Sequence, residues 1–523
     1  MKIQNHDCMI EKGMSDMDEN IQIGKYTLES LTTGMYSDPK IIYREYIQNS
    51  VDALEMAVQS NLIEPQSMRI DIIVDAENSY ISIRDNGTGV NSENAVSTLM
   101  NIGSSQKRHS SNRGFRGIGR LGGMSYCGRL VFTTSAEHEN TKTIVAFDCK
   151  KLRELLVPGA NENMDLAAVL ANVTQVRREE EKKEKHYFSV ELFDVNGFSD
   201  LLNIETVRSY IAQVAPLPYK SRRFVYSPDV HRFLTENGYE LEEFPIFVGE
   251  TNSDLDPVYK PNCHRYHSDR NKKKNDEILS LRTFSVEIDG ELYALGWYGV
   301  CNWLGSLSEH EISGIRVRKG NILIGDNKTL NAIFKEARFN GWTQGELFVV
   351  TDKLIPNARR DDFEQNEAYY NLIKALQDGI GAEITKAIRE ASSLRNDTSA
   401  KVITAVQKQV SDAAVTVAEG FNSSVDKSRL LDQLTEAEKT LKKAKVREEL
   451  KPKKAEIQQQ LAKTIEEVSD SNNYKMNQVN TGIDRRSKKI LAIVSDILSE
   501  KLSKPLVDDI IEEIVTVLNG KKE

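Results

Sequence analysis

The chain has 523 residues, of which 39% are hydrophobic and 28% charged, and its formal net charge at pH 7 is −9. This length exceeds what one hydrophobic core supports, so we expect about three or four domains. No segment has the roughly 18 uncharged apolar residues of a membrane span, and the N-terminus lacks the apolar core of a secretory signal, which favours a cytoplasmic protein with no membrane contact. The negative charge disfavours DNA as a partner, although local basic surfaces could still bind it.

The first predicted element is a helix with Asp38 as its N-cap and Pro39 at its first helical position. Within this helix Glu45, Asn49 and Asp52 occur at i, i+4 and i+7 and therefore share one polar face. The opposite, apolar face consists of Ile47, Val51, Leu54 and Val58. Because a polar helix face is usually only solvent-exposed surface, its interpretation depends on the segments that follow.

Two strands follow the helix, at 69–75 and 80–85, and the short connection between them predicts a hairpin. The second strand ends in DNGTG (85–89), and the glycine-rich segment RGFRGIGRLGG covers 113–123. Further strands are predicted at LVFTTS and HYFSVELFDV. The charge run between them, 176–186, has no apolar face, so we interpret it as a solvent-exposed excursion.

Later segments indicate further domains. Strands near FSVEI, YALGWYG, GIRVRKGNILIG and ELFVV predict a second α/β domain, and the chain then becomes helical. Heptad-like apolar spacing gives the helical region coiled-coil character, but Pro452 makes a helical hairpin at least as plausible as one long coiled coil. The last amphipathic stretch, 490–515, fits either an intramolecular bundle or a dimer contact. The predicted boundaries are 1–24 (extension), 25–200, 201–375 and 376–523.

The first domain contains the residue types that ATP hydrolysis needs. The reaction requires a base beside the attacking water, an oxygen ligand for Mg²⁺, a carboxylate for the adenine amino group and backbone N–H groups around the phosphates. Glu45 is the candidate base, Asn49 the Mg²⁺ ligand and Asp85 the adenine contact. Glycines that would let the backbone approach the ring or the phosphates are Gly87, Gly89, Gly114, Gly117 and Gly119. One glycine cluster is weak evidence, but three motifs in this order are strong.

REYIQNSVDAL, IRDNGTGV and GFRGIG resemble the three motifs of the GHKL ATPase superfamily, and the resemblance covers about residues 25–200. It implies an α+β protein whose first domain is a Bergerat-fold α/β sandwich that binds ATP and Mg²⁺ and hydrolyses ATP. It also implies lid contacts from Ser104, Ser105 and Lys107, and a hydroxyl from Ser189 where the family usually has threonine. The implied nucleotide contacts are Asn49, Asp52, Ala53, Asp85, Gly87, Gly89, Ser104, Ser105, Lys107, Gly114, Phe115, Arg116, Gly117, Ile118, Gly119 and Ser189.

Within the superfamily the resemblance is mixed. YREYIQNSVDAL is similar to the helix of the ninety-kilodalton heat-shock chaperones, whereas GFRG with SSQK (104–107) resembles MutL and MORC proteins. LIPNARRDDF (354–363) resembles the loop of the chaperones' βαβ transducer domain, which implies that Arg360, with Asn357, faces the γ-phosphate. Lys319 is an alternative for the same contact.

The leading hypothesis is an ATP-driven clamp that remodels a protein partner of unknown identity, with the helical region as a dimer contact or partner surface. The alternative is a DNA-associated clamp of the MutL or MORC kind. A histidine kinase would need a phospho-acceptor histidine on a hairpin ahead of the domain, and a topoisomerase a second catalytic domain, so we disfavour both. A scaffold that only binds ATP is also conceivable, although Glu45 argues for hydrolysis.

Overall fold

The computed structural model describes residues 26–27, 38–100, 119–157, 159, 164–197, 199–268, 274–394, 398–444, 446, 450–474 and single positions between 490 and 515. The chain divides into two compact units, Met1–Leu217 with Glu243–Val258, and Pro218–Glu242 with Tyr259–Glu523. We call these the first and the second unit. In the described part of the chain, no helix is long and apolar enough to cross a membrane. The domain boundaries drawn from the sequence stay predictions.

The first unit is a mixed α/β structure, and its helices and strands correspond well to the periodic patterns in the sequence. The helices are α1 (Ile41–Gln59), α2 (Ala95–Met100), α3 (Cys149–Leu156), α4 (Leu166–Val173), α5 (Ser199–Leu202) and α6 (Ile204–Val214). The strands are β1 (Ile70–Asp75), β2 (Tyr80–Asp85), β3 (Arg129–Ser135), β4 (Thr141–Asp148), β5 (Thr174–Glu180), β6 (Tyr187–Phe193), β7 (Ile246–Gly249) and β8 (Asp256–Pro257).

Helix α1 begins slightly later than the sequence predicts. Its N-cap is Lys40, and Asp38 instead accepts a hydrogen bond from the Lys40 backbone N–H at 3.0 Å. The N–H of Ile41 donates to the carbonyl of Asp38 at 3.2 Å, so a tight turn precedes the first α-helical residue. The predicted Asp38–Pro39 start is therefore wrong by two residues, because the aspartate caps a turn instead of the helix.

The strands of the first unit form one eight-stranded sheet in the order β5-β4-β3-β6-β2-β1-β7-β8. The β1–β2 hairpin is antiparallel, as predicted, whereas β7 joins β1 in parallel. Inward residues of the sheet and the apolar side of α1 belong to one hydrophobic core. The sheet and α1 therefore form two packed layers, which is the arrangement expected of an α/β sandwich.

The charged run at 176–186 is only partly an excursion. Its first half belongs to β5, which pairs antiparallel with β4 at one edge of the sheet. Most of its side chains are exposed, but its backbone is hydrogen-bonded to β4. An edge strand with charged side chains on both faces discourages pairing with other chains. The predicted solvent exposure of the side chains is confirmed for 176–180, but these residues are part of a paired strand and not an excursion from the sheet.

The second unit contains two sheets and six helices within its described residues. The strands are β9 (Arg265–Ser268), β10 (Lys274–Glu277), β11 (Ser280–Ile288), β12 (Glu291–Val300), β13 (Gly314–Lys319), β14 (Ile322–Ile324) and β15 (Gln344–Val349). The helices are α7 (Ser227–Glu236), α8 (Glu367–Leu376), α9 (Ala382–Leu394), α10 (Thr398–Glu419), α11 (Ser424–Lys443) and α12 (Lys451–Asp470).

The larger sheet has the order β11-β12-β15-β13-β14. Gly320 and Asn321 both have positive φ, 55° and 58°, so the segment predicted as GIRVRKGNILIG is a tight hairpin of β13 and β14. β13 and β15 are parallel. The crossover between them passes through β14 and two 3-10 helices, Asn331–Ile333 and Ala337–Trp342.

The helical region forms a hairpin that packs on a third helix. Lys427 near the start of α11 donates to carbonyls at the end of α12, and Lys454 near the start of α12 donates to carbonyls at the end of α11, so the two helices are antiparallel. Pro452 lies in the first turn of α12. Buried residues of α10, α11 and α12 share one core. The predicted hairpin is thus present, and the heptad-like stripe is used inside this chain.

Candidate functional site

Helix α1 carries the three polar residues predicted for the site. Glu45 and Asn49 are half-buried, and Asp52 is 3% exposed. Among the described residues, Asn49 makes no hydrogen bond with its side-chain amide. Because the Asn49 side chain is only half-buried, solvent can satisfy its amide groups, and a ligand can take the place of that solvent. Asn49 thus has an amide oxygen available to a metal ion or a nucleotide.

Asp85 ends strand β2 beneath helix α1 and is 3% exposed. Burial raises the pKa of Asp85 to about 7, although hydrogen bonds from the Ser50 hydroxyl and from the backbone N–H groups of Gly87 and Phe188 act to lower it. The Gly87 bond measures 2.9 Å. A buried carboxyl held by donors on several sides keeps a fixed orientation. It can therefore serve as a precise hydrogen-bond partner for an amino group.

The DNGTG turn packs directly on α1. A Cβ added to Gly87 would lie 2.7 Å from the Cβ of Ala53, and the N–H of Thr88 donates to the carbonyl of Ala53 at 3.3 Å. Gly89 has a φ of +62°, and a side chain there would overlap the carbonyl oxygen of Ser135. Both glycines are thus required by contacts within the protein. Their predicted approach to a nucleotide ring stays a prediction.

Gly119 connects the glycine-rich segment to Glu45. It begins the 3-10 helix Gly119–Ser125, and a Cβ added to it would overlap Oε2 of Glu45. The carboxylate of Glu45 therefore lies against the backbone at the end of the third motif. The other predicted lid and loop contacts lie outside the described residues; they are Ser104, Ser105, Lys107, Gly114, Phe115, Arg116, Gly117 and Ile118.

Two segments that are far from α1 in sequence, the turn at 85–89 and the segment that begins at Gly119, thus meet along this helix. Residues 36–178 match a family described as Histidine kinase-, DNA gyrase B-, and HSP90-like ATPase. The part of the chain around Glu45 is thus similar to this ATPase family. We refer to residues 36–178 as the GHKL domain.

Parts of the chain are also similar to curated chaperones. The chain is 32% identical over 117 residues to the mitochondrial heat shock protein 75 kDa of Rattus norvegicus, which covers 20% of this chain and 17% of that protein. It is 32% identical over 84 residues to the chaperone protein HtpG of Acinetobacter baylyi, covering 15% of this chain and 13% of the relative. It is 24% identical over 212 residues to HtpG of Rickettsia canadensis, covering 34% and 33%. The chain thus matches at most a third of the length of these relatives.

The register of the sheet corrects the prediction for Ser189. In the antiparallel pair of β2 and β6, Arg84 is opposite Ser189 and Asp85 is opposite Phe188. Residues directly opposite each other point to the same face, so Ser189 points away from the face that carries Asp85. The Arg84 guanidinium accordingly lies 4.0 Å from the centre of the Tyr187 ring on that other face. Phe188, which is half-buried, is the residue of β6 beside Asp85.

In the second unit, the two residues proposed to contact the γ-phosphate, Lys319 and Arg360, have different surroundings. Lys319 donates to the carbonyl of Thr351 at 2.7 Å and to Oδ1 of Asp352 at 3.2 Å, and burial lowers its pKa. Its ammonium group is thus occupied at the end of β15. Arg360 has a φ of +56°, the left-handed region that side chains rarely adopt. Its carbonyl accepts from the N–H of Gly325 at 2.9 Å, and its N–H donates to the carbonyl of Asn357 at 3.1 Å.

Three residues of the site were missed by reasoning from the sequence. Ser50 donates to Asp85 from the buried side of α1, Tyr46 contacts the segment after Gly119, and Phe188 replaces Ser189 beside Asp85. The position of Ser50 directly after Asn49 was a usable signal, since it puts a hydroxyl between the polar and the apolar face. No local signal identifies Phe188 or the contact of Tyr46, because both depend on segments distant in the sequence.

Proposed function

We propose that the GHKL domain binds ATP with Mg²⁺ and hydrolyses ATP to ADP and phosphate. The observation that carries this proposal is the convergence on α1: the Glu45 carboxylate lies against Gly119, while Asp85 is hydrogen-bonded to Ser50 and the turn after Asp85 packs on Ala53. A base and an available amide thus lie on one helix, and a buried carboxyl at the end of β2 is hydrogen-bonded to the same helix. The match of residues 36–178 to the ATPase family supports the same proposal.

The residues present fit the nucleotide and its metal. When bound, ATP with Mg²⁺ supplies the phosphoanhydride bond that is hydrolysed. Glu45 would accept a proton from the attacking water, and the amide oxygen of Asn49 would bind Mg²⁺. The fixed carboxyl of Asp85 would recognise the adenine amino group, with Asp52 and Ala53 as neighbours on the helix. The absence of a side chain on Gly119 leaves the Glu45 carboxylate its space.

We further propose that Arg360 contacts the γ-phosphate of bound ATP. The backbone of Arg360 supports this proposal. Arg360 is held in a strained backbone conformation by hydrogen bonds on both sides of its peptide, and such strain concentrates at functional positions.

At the level of the whole protein, we propose an ATP-driven remodelling of a protein partner by a cytoplasmic homodimer. The relatives are named as a heat shock protein and chaperones, which supports a protein partner rather than DNA. Ile490, Ile493 and Ile497 are 54%, 58% and 50% exposed at helical spacing, so they could supply a dimer contact. Sedimentation of the wild type as a monomer at micromolar concentration would contradict the homodimer. An aggregation assay with an unfolded protein tests remodelling. Remodelling would be contradicted if the chain does not protect that protein, or if the protection does not depend on ATP.

Steady-state ATP turnover together with nucleotide binding tests the central proposal. Glu45→Gln keeps the shape of the side chain and removes the base, so we expect ATP to bind normally while kcat falls by about 10²–10⁴. Glu55→Gln on the same helix is the matched control and should keep full turnover. Undiminished turnover in Glu45→Gln would refute Glu45 as the base. A wild type that binds ATP without hydrolysing it would refute the enzymatic proposal.

Arg360 is tested in the same assay. We expect Arg360→Ala to lower kcat by about 10³ or more while ATP affinity changes little, since the guanidinium would act on charge that develops during the reaction. Arg359→Ala, the exposed neighbour, is the control. Equal effects of the two variants would show that general charge at this loop matters and that Arg360 has no specific role.

A further inference from the structure

Tyr46 follows the candidate base directly in sequence and contacts the third motif from the buried side of α1. It is 2% exposed. Its hydroxyl donates to the carbonyl of Arg120 at 3.0 Å and accepts from the N–H of Gly123 at 3.1 Å. Both partners belong to the 3-10 helix Gly119–Ser125. One hydroxyl group thus connects α1 to this segment at two points.

These two hydrogen bonds fix the segment next to the Glu45 carboxylate. Arg120, whose carbonyl is held, directly follows Gly119, and a side chain on Gly119 would overlap Oε2 of Glu45. At Gly123 the fit is equally close, since an added Cβ would overlap the Tyr46 hydroxyl oxygen. Glu45 and Tyr46 are consecutive residues of α1, and both contact the 3-10 helix Gly119–Ser125. A change at the Tyr46 hydroxyl is therefore expected to displace Gly119 relative to the Glu45 carboxylate.

We propose that Tyr46 is a positioning residue for ATP hydrolysis, which keeps Gly119–Ser125 in register with α1 so that Gly119 and the Glu45 carboxylate stay in contact. This inference rests on the proposed function. Burial raises the pKa of Tyr46 well above its ordinary value, so the hydroxyl keeps its proton and its donor role at every pH of interest. Removal of the hydroxyl leaves the Gly123 N–H and the Arg120 carbonyl without this partner inside the domain.

Tyr46→Phe tests the proposal, with Tyr43→Phe as the matched control. Tyr43 lies on the same helix, is fully buried, and donates through its hydroxyl to the carbonyl of Leu201 at 2.7 Å, away from the 3-10 helix. We expect kcat for ATP to fall about tenfold to hundredfold in Tyr46→Phe, since small displacements at a reacting group have effects of this size. The dissociation constant for ATP should change by less than about threefold, and Tyr43→Phe should keep the wild-type kcat.

Hydrogen exchange without nucleotide supplies a second measurement that does not depend on turnover. In Tyr46→Phe, and not in Tyr43→Phe, the amides of 119–125 should exchange about fivefold to tenfold faster. With turnover of the wild type intact, equal exchange or equal kcat in the two variants overturns the role of Tyr46 alone. Absence of turnover in the wild type overturns the proposed function, and the exchange measurement then identifies whether Tyr46 still fixes the segment.

A second pair of variants, Gly123→Ala alone and combined with Tyr46→Phe, tests the same contact if Tyr46→Phe folds poorly. Gly123→Ala introduces a methyl group that overlaps the hydroxyl oxygen, whereas the next neighbours, Leu192 and Leu130, are 3.3 and 3.4 Å away. We expect Gly123→Ala to lower turnover strongly, and the double variant with Tyr46→Phe to recover at least the turnover of Tyr46→Phe, because the methyl takes the space of the oxygen. If the fold-losses of turnover in the two single variants multiply in the double variant, the contact between the Tyr46 hydroxyl and Gly123 is not the source of the effect, and the proposal is overturned.

Discussion

Replacing Glu346 by glutamine removes one negative charge from the interior of the second unit. The Glu346 side chain is completely buried on β15 and forms ion pairs with Lys260, at 3.1 Å, and with Arg318, which are also completely buried. The Tyr219 hydroxyl donates to it and in turn accepts from the Trp297 indole N–H at 3.3 Å. Glutamine keeps the shape of the side chain but removes the charge and replaces one acceptor oxygen by an NH2 group, which cannot accept from Tyr219, Lys260 or Arg318.

The structure indicates a large loss of stability. Burial alone would raise the pKa of Glu346, but the attraction of Arg318 and Lys260 and the hydrogen bond from Tyr219 together lower it to about 2. One pKa unit corresponds to about 1.4 kcal/mol, so lowering the pKa of Glu346 from its ordinary 4.5 to about 2 corresponds to about 3 kcal/mol of folding free energy. Breaking a buried ion pair by removal of one partner typically costs about 3–5 kcal/mol. We therefore expect Glu346→Gln to lower the free energy of unfolding of this unit by about 3–5 kcal/mol.

Urea unfolding followed by tryptophan fluorescence measures this loss specifically. The chain has three tryptophans, Trp297, Trp303 and Trp342, and all belong to the second unit. We expect the midpoint to fall by about 1–2 M urea. Glu291→Gln is the control, because Glu291 is 41% exposed and pairs with Lys353 at the surface, where an ion pair contributes about 0–1 kcal/mol.

The dependence on pH gives a second test with a definite sign. The folded-state pKa of Glu346 is depressed, so its stabilisation is fully present above the pKa of the unfolded chain and is lost as pH falls from about 4.5 toward 2. The difference between the wild type and Glu346→Gln should therefore shrink over this range. Equal midpoints for Glu346→Gln and Glu291→Gln at pH 7 would refute the reasoning.

Two further predictions concern the GHKL domain. Gly119→Ala should reduce ATP turnover at least about tenfold by displacing the Glu45 carboxylate. Gly122→Ala is the control and should keep full turnover, because the nearest atom to its added Cβ would be 4.0 Å away. Equal turnover in the two variants would contradict the contact between Gly119 and Glu45. Asp85→Asn should lose ATP binding in a calorimetric titration. Since the folded-state pKa of Asp85 is raised to about 7, stability of the wild type should fall as pH rises from about 4 to 7, by about 4 kcal/mol. Scanning calorimetry should thus find Asp85→Asn more stable than the wild type at pH 8 and not at pH 4, and a difference independent of pH would contradict this.

Local patterns in the sequence were sufficient for most elements and for the parts of the site that lie on one element. The i, i+4, i+7 spacing identified the polar side of α1 with Glu45 and Asn49, and the alternating isoleucines identified the β1–β2 hairpin that ends in Asp85. Pro452 indicated the turn between α11 and α12. These features follow from helix and strand periodicity, which adjacent residues impose without reference to the rest of the chain.

Only the tertiary structure decided which distant groups meet. Strand register put Phe188, and not Ser189, beside Asp85, because a shift of one residue reverses the face on which every side chain of a strand lies. Pairing with β4 made part of a charged run an edge strand. The contact between Tyr46 and Gly123 joins residues 77 positions apart, and Glu346 meets Lys260 across 86. The sequence determined which residues are candidates for the chemistry, and packing between distant segments determined which of them lie together.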